Sequence, residues 1–295
     1  MEERSLCMDE KTIAIIGAGT MGCATALDIA KNGHYVLVKD KDPAILQKAE
    51  KTIHHEYRRA VMFNQTYLDV TLNTILDHIT FQCTYDNMEK ADIIIENITE
   101  NIDAKINEYG RLSEISHSEM IFALNTSCIS ITKLANYLPD PGKVIGTHFM
   151  NPVPIKKMVE VIKGHHTTQA TESKMVSFLK SLQKEPIVIN DSPGFVSNRL
   201  SHLLMNEAAC IVEDGIAEPY QIDQIMREGF NQKMGPLETA DLIGLDTVKD
   251  SLEVLYESYQ DPKYKCSPLL KKLVDANHLG RKSGKGFYEY TRRSV

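Results

Sequence analysis

The chain has 295 residues, enough for two domains, and its 42% hydrophobic and 25% charged residues are typical of a globular protein. Its formal net charge of −7 argues against a general nucleic-acid or anionic-membrane surface. No run approaches the ~20 apolar residues of a membrane span, and the first eleven residues are rich in charge and lack an apolar core, so neither a membrane segment nor a signal peptide is predicted. The six cysteines show no C-x-x-C pair and no zinc-type spacing, which predicts reduced thiols in a cytoplasmic protein and no metal site.

The pattern in chain order begins with a strand, a glycine-rich turn and a helix. Thr12–Ile16 is a short apolar run rich in β-branched residues, typical of a buried strand. G-x-G-x-x-G follows, and then helical periodicity over residues 21–31. Such glycines allow a tight turn, close approach of the backbone to a pyrophosphate, and packing of helix on strand, with the phosphates at the helix N-terminus. We therefore predict a dinucleotide site formed by Gly17, Gly19, Thr20, Met21 and Gly22.

An acidic residue follows the glycines at the distance that such a site requires. A second predicted strand, Tyr35–Lys39, ends at Asp40, about 20 residues beyond the loop. A carboxylate there accepts hydrogen bonds from the adenosine ribose and repels the extra phosphate of NADP, so Asp40 favours NAD. A similar turn also serves FAD and S-adenosylmethionine, and Asp40 alone does not exclude them.

Strands alternate with helices over the first 190 residues. A helical hairpin, residues 45–63 and 67–77, is predicted as an insertion before the third strand. Further strands are predicted at 79–83, 92–95, 120–124, 143–147, 158–162 and 186–189, and helices at 102–116, 131–137 and 168–182. This alternation predicts a Rossmann-type, doubly wound, mostly parallel sheet, hence an α/β fold.

Beyond residue 190 the sequence shows only helical periodicity, at 196–214, 219–228, 236–259 and 267–276. We therefore predict an α/β dinucleotide-binding domain over residues 1–190 and an all-α domain over residues 191–295. The helical domain carries apolar faces, for example at Leu203, Leu204, Ala208 and Ile211. These faces pack in the domain's own core or against a twofold partner.

Residues able to carry chemistry follow the later strands, at the edge where a doubly wound sheet binds its ligands. His148 ends one predicted strand, and Glu160 interrupts the apolar alternation of the next. Because imidazole titrates near neutral pH, a histidine there can take a hydroxyl proton as hydride leaves the same carbon. A buried carboxylate beside it would fix its tautomer. The alternatives are a structural histidine and a glutamate that faces water at the sheet edge.

Polar side chains in the same predicted region are able to hydrogen-bond a substrate oxygen. Ser127 follows one strand, Asn151 follows His148, and Asn198 lies one turn into the first helix of the second domain. For Ser127 and Asn198 the alternative is helix capping, which both residue types favour.

Six further segments are spread over nearly the whole chain: ENITENIDAK (96–105), NTSCISI (125–131), GTHFMNPVPIKKMVEVI (146–162), SPGFVSNRL (192–200), MGPLETADLIGLDT (234–247) and GRKSGKGFYEY (280–290). In this order they resemble the short-chain 3-hydroxyacyl-CoA dehydrogenase family. The resemblance implies NAD-dependent oxidation of a 3-hydroxyacyl thioester to the 3-oxoacyl thioester. It also implies a homodimer with the nicotinamide cleft between the domains.

The resemblance also implies roles for single residues. His148 is the general acid/base, and Glu160 pairs with it. Ser127 and Asn198 contact the substrate. Glu100 and Lys105 match positions that line the nicotinamide half of the cofactor site, and Asn125 is a further predicted cofactor-binding residue.

The predicted helical hairpin leaves the thioester carrier open. Relatives that handle CoA often carry several lysines there, whereas this chain has none between Lys51 and Lys90. Arg58 and Arg59 are the full cations available for the CoA phosphates. An acyl carrier protein, as in polyketide-type biosynthesis, presents the same phosphopantetheine arm without the nucleotide and is the alternative carrier. A catalytically silent dinucleotide-binding sensor and a dehydrogenase for free hydroxy acids are the remaining alternatives.

Overall fold

The computed structural model describes residues 10–290, and the chain divides into two compact units between Asp191 and Ser192. Residues 1–9 lie outside the described residues. The predictions of no signal peptide and of a reduced thiol at Cys7 fall on that segment. No helix within residues 10–290 has both the length and the apolar character needed to cross a membrane.

The first unit is built on one sheet. Its strands are β1 (Thr12–Ile16), β2 (Tyr35–Lys39), β3 (Ile79–Gln82), β4 (Ile93–Glu96), β5 (Ile121–Leu124), β6 (Val144–Phe149), β7 (Met158–Lys163) and β8 (Glu185–Asn190). They lie in the order β3-β2-β1-β4-β5-β6-β7-β8. Neighbours are parallel except β6 and β7, which are antiparallel. The strand order reverses between β1 and β4, the place where such sheets bind ligands beyond their carboxyl ends.

Helices connect these strands and cover the sheet: α1 (Thr20–Lys31), α2 (Pro43–Phe63), α3 (Leu72–Leu76), α4 (Ile102–Ile115), α5 (Ile131–Ala135) and α6 (Gln169–Ser181). Buried apolar side chains of α1, α2 and α6 belong to the same core cluster as those of β1 and β2. The α2 helix begins with Pro43 because Asp42 accepts a hydrogen bond from the Ala44 amide at 2.8 Å. The predicted doubly wound, mostly parallel sheet with its inserted hairpin is confirmed.

The second arm of the predicted hairpin is wrong in one detail. In place of one helical piece over residues 67–77, the chain forms a 3-10 turn at Gln65–Leu68 and then the short α3. Thr71 lies between them in extended backbone and caps α3 by accepting a hydrogen bond from the Thr74 amide at 3.2 Å. A capping threonine starts a new helix and so divides the segment.

The second unit is helical: α7 (Ser197–Glu213), α8 (Pro219–Phe230), α9 (Pro236–Ile243), α10 (Leu245–Tyr259) and α11 (Pro268–Asp275). Its core includes Met205, Leu237, Val248 and Leu252. The single helix predicted over 236–259 is wrong. Gly244 divides it with φ +108°, a backbone conformation outside the helical region that glycine adopts readily. The all-α character of the second half of the chain is confirmed.

Candidate active site

The antiparallel pairing of β6 with β7 brings His148 and Glu160 together. The two residues are directly opposite in the register, and His148 Nδ1 lies 2.8 Å from Glu160 Oε2. They are 9% and 4% exposed. A carboxylate on Nδ1 keeps a proton there, leaves Nε2 for chemistry, and stabilises the charged ring. The alternative of a water-facing Glu160 is wrong, because β8 covers the outer edge of β7 and the carboxylate is buried.

The loop after β5 brings a hydroxyl next to the histidine. Ser127 Oγ lies 3.5 Å from His148 Nε2. The loop is held by Glu100, whose Oε1 accepts hydrogen bonds from the amides of Ser127 and Cys128, each at 3.0 Å, and from the Thr126 hydroxyl. Helix capping does not explain Ser127, because Ser130 is the cap of α5.

Asn125 connects the ends of three neighbouring strands. Its Oδ1 accepts a hydrogen bond from the Phe149 amide at 3.4 Å, and its Nδ2 donates to Asn97 Oδ1. Asn97 follows β4, Asn125 follows β5, and Phe149 ends β6. The carboxyl edge of the sheet is therefore a connected polar surface. Asn151, beyond the end of β6, has an exposed side chain.

Lys105 lies inside the first unit rather than at its surface. Its side chain is fully buried, and its Nζ lies 2.8 Å from both carboxylate oxygens of Glu96. The Tyr109 hydroxyl donates to the same carboxylate at 2.8 Å. Burial raises the pKa of Glu96, and the paired Lys105 opposes that rise. Lys105 also lies 3.8 Å from Glu100. Its contact with the loop that carries Ser127 is thus through Glu100.

The glycine loop has the geometry that a dinucleotide needs. Gly17 has φ +103°, and a Cβ on Gly22 would lie 1.8 Å from the Gly17 carbonyl oxygen, so α1 packs directly on the loop. A Cβ on Gly19 would meet nothing within 4 Å, so its backbone is open to a phosphate at the N-terminus of α1. Asp40 Oδ2 accepts a hydrogen bond from the Ala18 amide at 2.9 Å. Gly17, Gly19 and Asp40 line one cavity of about 810 Å³.

The arginines predicted to bind the thioester carrier lie on α2. Both are exposed. Arg58 lines a shallow groove of about 450 Å³ with Lys51, His54 and His55 of the same helix. Arg59 Nη1 lies 4.0 Å from Glu56 Oε1. A spacing of three or four residues places Lys51, His54 or His55, and Arg58 on one face of α2.

Asn198 lies in the second unit, in the first turn of α7. Its backbone carbonyl accepts a hydrogen bond from His202 Nδ1 at 2.9 Å. Helix capping does not explain this asparagine, because the residue at the cap position is Val196.

Two buried aspartates, which sequence reasoning did not single out, connect the C-terminal segments 234–247 and 280–290 by hydrogen bonds. Asp223 accepts hydrogen bonds from the Leu237 and Glu238 amides, each at 2.9 Å, and from the Tyr288 hydroxyl at 2.6 Å. Asp241 accepts from the Phe287 and Tyr288 amides, each at 3.0 Å, and from the Tyr290 hydroxyl at 2.9 Å. Both aspartates are fully buried. These segments therefore have a structural role within the second unit.

Comparison with known proteins gives a family to this geometry. The model of the 3-hydroxyacyl-CoA dehydrogenase NAD binding domain matches residues 12–192, and that of the family's C-terminal domain matches residues 194–290. The chain belongs to the 3-hydroxyacyl-CoA dehydrogenase family. Membership confirms the predicted NAD cofactor and the predicted enzyme class, an NAD-dependent dehydrogenase acting on the CH–OH group of a 3-hydroxyacyl thioester.

Individual members of the 3-hydroxyacyl-CoA dehydrogenase family match along nearly the full chain. A probable 3-hydroxybutyryl-CoA dehydrogenase of Bacillus subtilis is 40% identical over 288 residues, 97% of this chain and 100% of that protein. The mitochondrial hydroxyacyl-coenzyme A dehydrogenase of Homo sapiens is 36% identical, over 95% of this chain and 91% of that one. The crystal structure of (S)-3-hydroxybutyryl-CoA dehydrogenase from Ralstonia eutropha aligns with a TM-score of 0.89 at 39% identity, covering 96% of this chain and 100% of that chain.

Proposed function

We propose that the protein interconverts a short-chain 3-hydroxyacyl-CoA and its 3-oxoacyl-CoA, with the 3-hydroxybutyryl and acetoacetyl thioesters as the pair to test first. The observation that carries the proposal is the buried His148–Glu160 pair, with Ser127 Oγ at 3.5 Å from His148 Nε2. Relatives named 3-hydroxybutyryl-CoA dehydrogenase, at 39–42% identity, support the acyl group and the CoA carrier.

NAD, when bound, supplies the acceptor for the hydride that leaves C3. His148 Nε2 takes the proton of the 3-hydroxyl, and Glu160 balances the positive charge that forms on the ring. In the opposite direction His148 returns that proton to the ketone oxygen. Ser127 donates a hydrogen bond to the same oxygen. We propose Asn198 and Asn151 as further donors to the substrate.

In the proposed cofactor site, one group of residues at the carboxyl edge of the sheet binds the adenosine diphosphate part of NAD and a second group borders the nicotinamide. Gly17, Gly19, Thr20, Met21 and Gly22 surround the pyrophosphate. Asp40 accepts from the adenosine ribose. Glu100 and Asn125 border the nicotinamide end, and Lys105 acts there by holding Glu96 and Glu100, since its own side chain has no exposed surface.

For the thioester carrier we propose CoA, with Arg58 and Arg59 on its phosphates. Both guanidinium groups lie on the exposed side of α2. The absence of lysines between Lys51 and Lys90 favours a second candidate, the same reaction on an acyl carrier protein. That carrier brings no nucleotide and requires fewer cations in this segment.

An NADH-consumption assay with three 3-oxo compounds tests the proposal. Acetoacetyl-CoA, the acetoacetyl thioester of an acyl carrier protein, and free acetoacetate are compared at equal concentration, with the N-acetylcysteamine thioester as a carrier-free control. We expect the highest kcat/KM with acetoacetyl-CoA. Turnover of the carrier-protein thioester alone would establish the second candidate, and preference for the free acid would reject both. NADH binding without turnover of any compound would identify a sensor.

The finer parts of the proposal are a homodimer and a cytoplasmic location. The second unit exposes apolar side chains on one face of α7, with Leu200 at 65% and Leu204 at 38%. Exposed apolar side chains of this kind mark interfaces between subunits.

The proposed cytoplasmic location is supported by the cysteines. They are scattered along the chain with no paired spacing, as in proteins of a reducing compartment.

A further inference from the structure

A second acid lies at the adenosine end of the proposed cofactor cavity. Glu108 of α4 accepts hydrogen bonds at its Oε1 from Lys39 Nζ at 2.8 Å and from the Tyr85 hydroxyl at 2.6 Å. Lys39 Nζ also lies 2.7 Å from the Tyr85 hydroxyl and 4.2 Å from the centre of the Tyr85 ring. We call Lys39, Tyr85 and Glu108 the Lys39 cluster. It joins the end of β2, the segment between β3 and β4, and α4.

The Lys39 cluster adjoins Asp40. Lys39 and Glu108 line the same cavity of about 810 Å³ as Gly17, Gly19 and Asp40. Their side chains are only 3% and 13% exposed, so the ion pair is largely shielded from solvent, where a charge-assisted hydrogen bond is strong.

The charges around this cavity do not by themselves exclude a phosphate. The described residues that line it include three full cations, Lys39, Lys41 and Arg111, and two acids, Asp40 and Glu108. Lysine and arginine are the side chains that bind the 2′-phosphate of NADP. Asp40 alone would therefore leave an excess of positive charge beside the ribose. Glu108 removes part of that excess.

We propose that Glu108 is a cofactor-selecting residue, which holds the Lys39 ammonium away from the adenosine ribose and cancels its charge, so that NAD is preferred to NADP. The inference rests on the proposed cofactor site. In the absence of Glu108 the Lys39 side chain, a flexible four-carbon stem with a compact charge, is able to turn toward a 2′-phosphate. Burial lowers the pKa of Lys39, but the hydrogen bonds to Glu108 and Tyr85 outweigh it and raise the pKa above its ordinary value. The ammonium is thus charged near neutral pH.

Calorimetric titration with the adenosine half of each cofactor isolates this end of the site. ADP-ribose and 2′-phospho-ADP-ribose are titrated into the parent protein, Glu108→Gln, Lys39→Met and the double variant. We expect Glu108→Gln to shift the ratio of the two dissociation constants roughly tenfold toward the phosphorylated ligand, as for one charge-assisted contact. Lys39→Met, which keeps the acid, shifts the ratio the other way. The double variant loses the gain of Glu108→Gln.

Glu114→Gln is the matched control, because it removes the same charge from an exposed position of the same helix that does not line the cavity. An equal shift in Glu114→Gln, or ratios within twofold of the parent in both Glu108→Gln and Lys39→Met, would overturn the inference. Failure of the parent to bind ADP-ribose would instead reject the cofactor site on which the inference rests. NADH- and NADPH-linked turnover of acetoacetyl-CoA by the same variants gives a second readout, in which the parent's NADH rate tests the proposed function separately.

Discussion

The proposed chemistry depends on a single histidine side chain and on what surrounds it. The His148 ring is held at Nδ1 by a buried carboxylate and has a serine hydroxyl near Nε2. These contacts give the ring one orientation and one proton-accepting nitrogen.

We expect His148→Gln to lower kcat with acetoacetyl-CoA about 10²–10⁴-fold, the usual contribution of a general acid/base. NADH binding, followed by fluorescence titration, is expected to stay within twofold of the parent, because the glycine loop and Asp40 are untouched. His165→Gln, at an exposed position of the same unit, is the control and is expected to keep full activity. Undiminished turnover in His148→Gln would remove the residue from the mechanism.

Glu160→Gln removes the negative charge beside His148 and keeps the size of the side chain. The amide still reaches His148 Nδ1 but no longer stabilises a positive ring. We expect a lower kcat with acetoacetyl-CoA and NADH binding within twofold of the parent, because the charge on the reacting imidazole loses its counter-charge while the glycine loop and Asp40 are untouched. A kcat equal to that of the parent would show that the pairing does not serve catalysis.

The sequence was sufficient to predict which strands and loops carry the candidate site residues, but not all of the surroundings of those residues. The pairing of His148 with Glu160 was predicted from the family resemblance, and Glu160 was noticeable because it interrupts an apolar run. The burial of Lys105 against Glu96 and the Lys39 cluster could not be predicted in this way. Lys39 meets Tyr85 and Glu108 from 46 and 69 residues away, through elements that only the tertiary fold brings together.

At the scale of elements, prediction succeeded where local pattern and burial agree. The β-branched runs of β1 and β2 are strands with the predicted bounds because both lie inside the sheet. Prediction failed over the amphipathic stretch 236–259. Its helical periodicity continues across Gly244, although the backbone there leaves the helical conformation. Periodicity records which side chains are buried, and two successive helices in one core preserve it.

The hydrogen bonds that connect segments 234–247 and 280–290 lead to a stability prediction for Gly286. A Cβ on Gly286 would lie 2.0 Å from Asp241 Oδ1. Gly286→Ala therefore displaces a fully buried carboxylate from the Phe287 and Tyr288 amides. We expect a loss of about 1–3 kcal/mol in the free energy of unfolding, the cost of leaving a buried polar group unpaired, measured by denaturant titration followed by circular dichroism.

Gly229→Ala is the matched control for Gly286→Ala. Gly229 lies in α8, where an added Cβ would meet nothing within 4 Å. Alanine is the better helix former by up to about 1 kcal/mol, so this variant is expected to be as stable as the parent or slightly more stable. Equal stability of the two variants would show that Asp241 does not fix the C-terminal segment.

At the scale of the whole molecule, the proposed homodimer makes the second unit the place of association. A net charge of −7 on each chain opposes the approach of two copies, so apolar contact must supply the driving force. Leu200 and Leu204 are one helical turn apart on α7 and provide such contact.

Leu200→Lys tests that interface. We expect light scattering after size exclusion to give twice the chain mass of 33.2 kDa for the parent and one chain mass for the variant, because a lysine ammonium would be buried without a partner. Leu68→Lys is the control, since Leu68 is also 65% exposed but lies in the first unit. We expect it to leave the dimer intact. A parent that elutes as a monomer would reject the dimer, and dissociation by Leu68→Lys but not by Leu200→Lys would move the interface to the first unit.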